Sequence, residues 1–260
     1  MVTTAAKTDD RALEPARKFL TAEWRHLAML NYEIDGALLE SRAPRGTELD
    51  RWQGRTFVSV VGFQFLRTRL FGIAIPFHQN FVEINLRFYV RRRAQEGWRR
   101  GVVFIKEIVP RWAVATVARV VYNESYVTRR MRQRVDLAAQ GLNPNDSIAN
   151  GVEYGWREAG RWHELRVETT GELRALAAGS EEEFIAEHYW GYTAQRDGGA
   201  LEYQVEHPPW RVWPASGARF DCDVARVYGR RFADCLSARP TSAFVADGSP
   251  VVVRRGRRVS

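Results

Sequence analysis

The sequence predicts a β-rich α+β fold in which an antiparallel sheet curls into a barrel with a few helices outside it. Two observations carry this prediction. Eight or so segments alternate at a period of two and are rich in Val, Ile, Phe and Tyr, and loops carrying Gly, Pro or charge separate them. Closure is expected because an open antiparallel sheet of that many strands leaves exposed edges. At 260 residues the chain suits one large domain, which buries roughly three quarters of its unfolded surface. No linker-like stretch or internal repeat divides it. We read residues 1–11 as a flexible N-terminus, 12–253 as a single β-barrel domain and 254–260 as a basic C-terminal tail.

Leu13, Ala16, Leu20, Trp24 and Leu27 recur at intervals of three and four, which predicts a helix giving way to an extended segment near Thr21. Asp35 is placed to cap a short helix from Ala37 to Arg42, and Pro44 ends it. From residue 55 the period becomes two. TFVSVVGFQF, NFVEINLRFYV, GVVFIKEIV and AVATVARVVY read as neighbouring strands, followed by GVEYGWRE, RWHELRVET, ALEYQVEH and SPVVVRR. Ala159-Gly160 and Asp197-Gly198-Gly199 are turn signals. Ser180-Glu181-Glu182-Glu183 is a capping box that opens a helix through about His188.

Lys+Arg minus Asp+Glu is 39 − 31 = +8, and Arg254, Arg255, Arg257 and Arg258 supply half of that excess. Only Lys7, Lys18 and Lys106 are lysines, so the basic balance reflects arginine usage more than a phosphate-binding surface, and no specific nucleic-acid partner is expected. No apolar run approaches the ~20 residues that span a bilayer, and acidic residues stand where a signal peptide would be apolar. A cytoplasmic protein with no membrane partner is the expectation. Cys222 and Cys235 form no CxxC pair and have no His at zinc-ligand spacing, so they read as reduced structural thiols, with no metal and no cofactor. The oligomeric state is left open.

Signatures of α/β-hydrolases, zincins, P-loop proteins and dinucleotide-binding folds are absent. The informative segment is Phe81 to Val90. Val82, Ile84, Leu86, Phe88 and Val90 make one apolar face, and Phe81, Glu83, Asn85, Arg87 and Tyr89 make the other. Such a polar stripe either faces solvent or lines a barrel interior, where a carboxylate and a guanidinium need partners and can bind a polar ligand. Lys106 and Glu107 point to opposite faces of the next strand, with Lys106 on the side of Val102, Phe104 and Ile108, and Arg119 interrupts an apolar face of the one after. His188 and His207, within HYWGYT and EHPPW, are either satisfied structural histidines or acid/base groups.

The segments from TAEWRHLAMLNYEIDGALLE to VSVVGFQF, then FVEINLRFYVRR, GWRRGVVFIKEIVPR, SEEEFIAEHYWGYT, EYQVEHPPW and ADGSPVVV, resemble the YqjF-like family of uncharacterised proteins, domain of unknown function 2071, over nearly the whole chain. That family is grouped with the acetoacetate decarboxylase-like superfamily. The resemblance implies a cone-shaped antiparallel β-barrel around an internal pocket, with peripheral helices. In the decarboxylases a buried lysine forms a Schiff base with a β-keto acid and a second lysine lowers its pKa. The similarity of Trp24 to Asp50 lays the pocket arginine on Arg25, and that of Phe81-Val82-Glu83 makes Glu83 the pocket carboxylate. Ala118-Arg119-Val120-Val121 matches the run that leads to the paired lysines, which fall near Tyr126 and Val127, where this chain has none. Schiff-base chemistry is therefore not expected unless Lys106 reaches the pocket.

Two functional expectations result. One is a pocket protein that binds a small anionic or carbonyl compound through Arg25, Glu83 and Arg87. Asn85, Glu107 and Arg119 add polar lining, and His188 or His207 acts as acid or base. The other is a structural or protein-interaction module whose barrel is filled with side chains.

Overall fold

The computed structural model describes residues 16–110, 125–137 and 150–259. The strand expected at 113–122, with Arg119, and the start of the expected N-terminal helix lie outside the described residues. Within them the chain is mostly strand: β1 (Lys18–Ile34), β2 (Glu48–Leu49), β3 (Thr56–Leu70), β4 (Ile73–Ala74), β5 (Phe81–Ala94), β6 (Gly97–Val109), β7 (Tyr126–Thr128) and β8 (Arg130–Asp136). There follow β9 (Gly151–Glu158), β10 (Arg161–Thr169), β11 (Arg174–Ala175), β12 (Trp190–Ala194), β13 (Ala200–Glu206), β14 (Arg211–Asp221), β15 (Ser242–Arg254) and β16 (Arg257–Val259).

Pairing runs β13-β12-β6-β5-β3-β1-β15, and β15 returns to β13 through Val205↔Val253 and Glu206↔Val252, so seven strands form a hydrogen-bonded ring. From β15 the sheet continues through β14, β10, β9 and β8. This continuation folds over the outside of the ring. Tyr154, Trp156, Leu165 and Val167 of β9 and β10 share one buried cluster with Val82, Ile84, Leu86, Phe88 and Val90 of β5. Val224 and Val227 of the Val224–Val227 helix and Leu236 of the Ala233–Ser237 helix join them. The apolar face of β5 is thus covered from outside, largely by a second sheet layer, and its polar face is free to turn inward. A second cluster, with Met29, Phe57, Tyr89 and Phe244, lies within the ring together with Phe184 and Ile185 of the Glu181–Ala186 helix. Ser180 caps that helix by accepting from the Glu183 amide at 3.1 Å, as the capping box predicts.

The expected N-terminal helix is instead the strand β1 from Lys18 onward. His26 has φ 52° and the pairing of β1 with β3 slips between Arg25 and Ala28, so one extra residue is inserted there. Before the bulge Leu20, Ala22 and Trp24 face inward, and after it Leu27 and Met29 do. A 2 + 2 + 3 spacing imitates a helical period. Sequence reading also passed over β14, which Pro214 and Gly217 interrupt. Residues 254–259, expected as part of a basic C-terminal tail, are half-buried or exposed but paired into the sheet. Arg254 belongs to β15, β16 pairs with β13, and Arg254, Arg257 and Arg258 are bonded to Glu206, Glu202 and Asp197.

Candidate functional site

A cavity of about 150 Å³ lies inside the ring. The pleat of β5 aims Glu83, Asn85 and Arg87 into it. Glu107 reaches the same space because β6 carries a bulge: Leu86 pairs with Lys106 but Arg87 pairs with Phe104, which leaves Ile105 as an extra residue. In a strand without that bulge, unbroken alternation would send Lys106 inward with Val102 and Phe104. With it, Lys106 points outward, donates to the Val227 carbonyl and lies 5.9 Å from the centre of the Tyr228 ring. Burial lowers its pKa there, outside the cavity.

Glu83 is buried and accepts from Asn85 Nδ2 at 2.9 Å and from Tyr126 Oη at 3.2 Å. Burial pushes its carboxyl up to about 7 against the opposing pull of those two bonds and of the Arg87 charge. Arg87 Nη2 donates to the Ile185 carbonyl at 3.4 Å and approaches Met29 Sδ at 3.9 Å, while its Nε, though buried, has no hydrogen-bond partner. Asn85 Oδ1 is in the same condition.

His188, just beyond the Glu181–Ala186 helix, also lines the cavity. Its ring lies 4.7 Å from that of Tyr89. Nε2 is 3.4 Å from Arg100 Nη2 and 3.6 Å from Asp50, whose carboxylate accepts from Arg100 Nε at 2.6 Å. Burial, reinforced by the Arg100 charge, lowers the His188 pKa to about 4, so it is neutral at pH 7 and not ion-paired with Asp50. With Nε2 accepting from Arg100, the proton is assigned to Nδ1, a second buried donor without a partner. His207 stacks between Tyr189 at 4.7 Å and Trp210 at 4.2 Å, lines the cavity, and has its pKa lowered by burial. Thr68 and His78 also line the cavity, and the rest of the wall is largely aromatic, with Trp24, Phe65, Phe81 and Phe104 prominent.

Of the sequence-expected residues, Glu83, Asn85, Arg87, Glu107, His188 and His207 converge on the cavity. Arg25 does not. It shares the outer face of β1 with Glu23, to which it is bonded at 3.0 Å, and its side chain is 34% exposed. The strand alternation that brings Trp24 inward sends its neighbour out. Sequence reasoning missed Tyr126 as the Glu83 partner, and Asp50 and Arg100 behind His188. These residues come together only through pairing of distant strands, and no local pattern marks them. Among the described residues no group of three His, Cys, Asp or Glu is arranged to hold a metal, and no helix is long and apolar enough to cross a membrane.

The family model for domain of unknown function 2071, described as an uncharacterized conserved protein, matches residues 21–250. The chain belongs to that family. No curated protein matches this DUF2071 chain in sequence. Among solved structures it is similar to the enduracididine biosynthesis enzyme MppR complexed with pyruvate, with TM-score 0.63 and 12% identity, covering 98% of this chain and 95% of that one. Acetoacetate decarboxylase from Legionella pneumophila gives 0.63 and 12%, covering 100% and 98%. An acetoacetate decarboxylase-like enzyme from Sphingomonas wittichii RW1 gives 0.59 and 12%, covering 100% and 99%. At these identities the likeness is one of fold. The DUF2071 chain therefore has the β-rich fold of the acetoacetate decarboxylases, as its resemblance implied.

Proposed function

We propose that this DUF2071 protein binds a small organic acid, anionic or carbonyl-bearing, in the internal cavity, and does so without a lysine Schiff base. The observation that carries the reading is the pair of buried, unpartnered nitrogens that line the cavity, Arg87 Nε and His188 Nδ1, both donors with the tautomer assigned above. A buried donor left unmatched costs about 1–3 kcal/mol, and an anionic oxygen placed between the two relieves both costs. A cavity of about 150 Å³ supports this reading over a barrel filled with side chains. Glu83, titrating at about 7, is suited to give or accept a proton beside the bound compound. Lys106, turned outward by the β6 bulge, has no part in it.

Pyruvate, present in a complex of a structural neighbour, is the first probe. Thermal denaturation with pyruvate and other short carboxylates should show stabilisation, reaching about 2.7 kcal/mol at 100 times the Kd. Arg87→Met should abolish the response while leaving a folded protein. A wild-type melting curve that no acid moves, or an unchanged response in Arg87→Met, would defeat the reading.

A further inference from the structure

This step rests on the acid-binding reading above and concerns the remainder of the ligand. Arg87 and Phe81 both line the cavity and lie six residues apart on β5, which is about 20 Å of extended chain. A volume of about 150 Å³ drawn out along that length is narrow. It suits a single chain better than a compact ring system. The charged groups gather around Arg87, Asn85 and Glu83, whereas the opposite end is bounded by Phe19, Leu70 and Ile75 and carries no charge, its polar members being Thr68 and His78. A pyruvate-sized acid would occupy the Arg87 end and leave most of the wall uncovered.

The apolar surface also continues outside. In the segment joining β3 to β5, Ile75 borders the cavity, while Phe71, Ile73 and Phe77 are 62%, 69% and 87% exposed. No Asp or Glu occurs between Asp50 and Glu83, and two arginines stand beside the segment on β3: Arg69, and Arg67, which is paired with Glu23 at 2.7 Å. An apolar rim with basic neighbours suits the passage of an anion that carries a hydrocarbon body.

We propose that the ligand is an elongated amphiphilic acid, with its carboxylate on Arg87 and His188 and a linear hydrocarbon tail running along the aromatic wall to the rim at Ile75. Calorimetric titration with butanoate, octanoate and dodecanoate, each below its micellar concentration, tests this. Affinity should rise with chain length, by roughly fourfold per methylene where the added group is fully buried, and level off once the tail reaches the rim. Ile75→Asp should lower the ratio of dodecanoate to butanoate affinity at least tenfold, and Arg87→Met should weaken all three acids. If short acids bind through Arg87 with no gain from added methylenes, the tail proposal falls and the acid-binding reading stands. If no acid of any length binds, both fall. A length dependence that survives both substitutions would mean that the chains bind elsewhere, and would overturn the proposal.

Discussion

Burial disfavours the charged forms of both Glu83 and His188, and their contributions to stability therefore run in opposite directions with pH. The Glu83 carboxyl stands at about 7 in the fold against 4.5 ordinarily, so the folded state binds its proton more tightly. Its contribution is complete below pH 4.5 and is lost as pH rises through 7, a loss of about 3 kcal/mol at most. His188 stands at about 4 against 6.5, so its contribution is present above pH 6.5 and is lost as pH falls toward 4. Glu83→Gln should flatten the decline in Tm between pH 5 and pH 8 and raise Tm at pH 8. A variant whose Tm follows the wild-type curve across that window would show that Glu83 is ionised in the fold. The polar stripe of Glu83, Asn85 and Arg87 was legible in the sequence because the opposite face of β5, from Val82 to Val90, is apolar without exception. Arg25 was misplaced because a family correspondence sets position along the chain, whereas the pleat decides the face.

At the scale of elements, bulges explain two of the misjudgements of sequence reading, the N-terminal helix and the faces of β6. A period of two is easily recognised, but one inserted residue reverses the sense of everything after it. In β1 the insertion at His26 produced a helical spacing. In β6 the insertion at Ile105 reversed the expected faces of Lys106 and Glu107 relative to Val102 and Phe104. The β1 bulge depends on its partner, Gly248, which pairs with Arg25 at φ +79°. A Cβ there would lie 2.0 Å from the Trp24 carbonyl oxygen and 2.9 Å from Leu27 Cδ1, with backbone that cannot move aside. Gly248→Ala should cost about 3 kcal/mol, combining a left-handed conformation with a steric clash, and lower Tm by roughly 6–12 °C. It should also disturb Trp24 in the cavity wall. A Tm within 2 °C or so of wild type would refute this account of the bulge.

For the whole molecule, the ring and its covering layer decide which of the charges are available. The β-rich, closed character of the fold was readable because strand number and turn signals report it directly, but the second sheet layer was not, because no local pattern says that β8, β9, β10 and β14 will fold over β5. That layer on the outer face, with the ring interior on the other, is why nine successive β5 residues from Val82 to Val90 are all buried. The net charge of +8 is likewise less free than the sequence suggests. Arg92, Arg99 and Arg257 surround the fully buried Glu202, at 3.5, 2.5 and 2.9 Å. We expect no retention of duplex DNA at physiological salt, and tight salt-resistant binding in a filter assay would contradict this. Incubation of the intact protein with β-keto acids and borohydride should leave its mass unchanged, whereas a stoichiometric adduct at Lys106 would show that the amine reaches the cavity after all.

The extra residue in β6 also sets how far this chain stands from amine chemistry. Glu107 pairs with Asn85 across the sheet and projects among the cavity walls, so Glu107→Lys would deliver a primary amine to the space that Lys106 is denied. Burial there favours the neutral, nucleophilic form. Such a variant should yield the borohydride-trapped adduct that is not expected of the natural protein. One side chain on an already built strand would then separate a binding cavity from a reactive one.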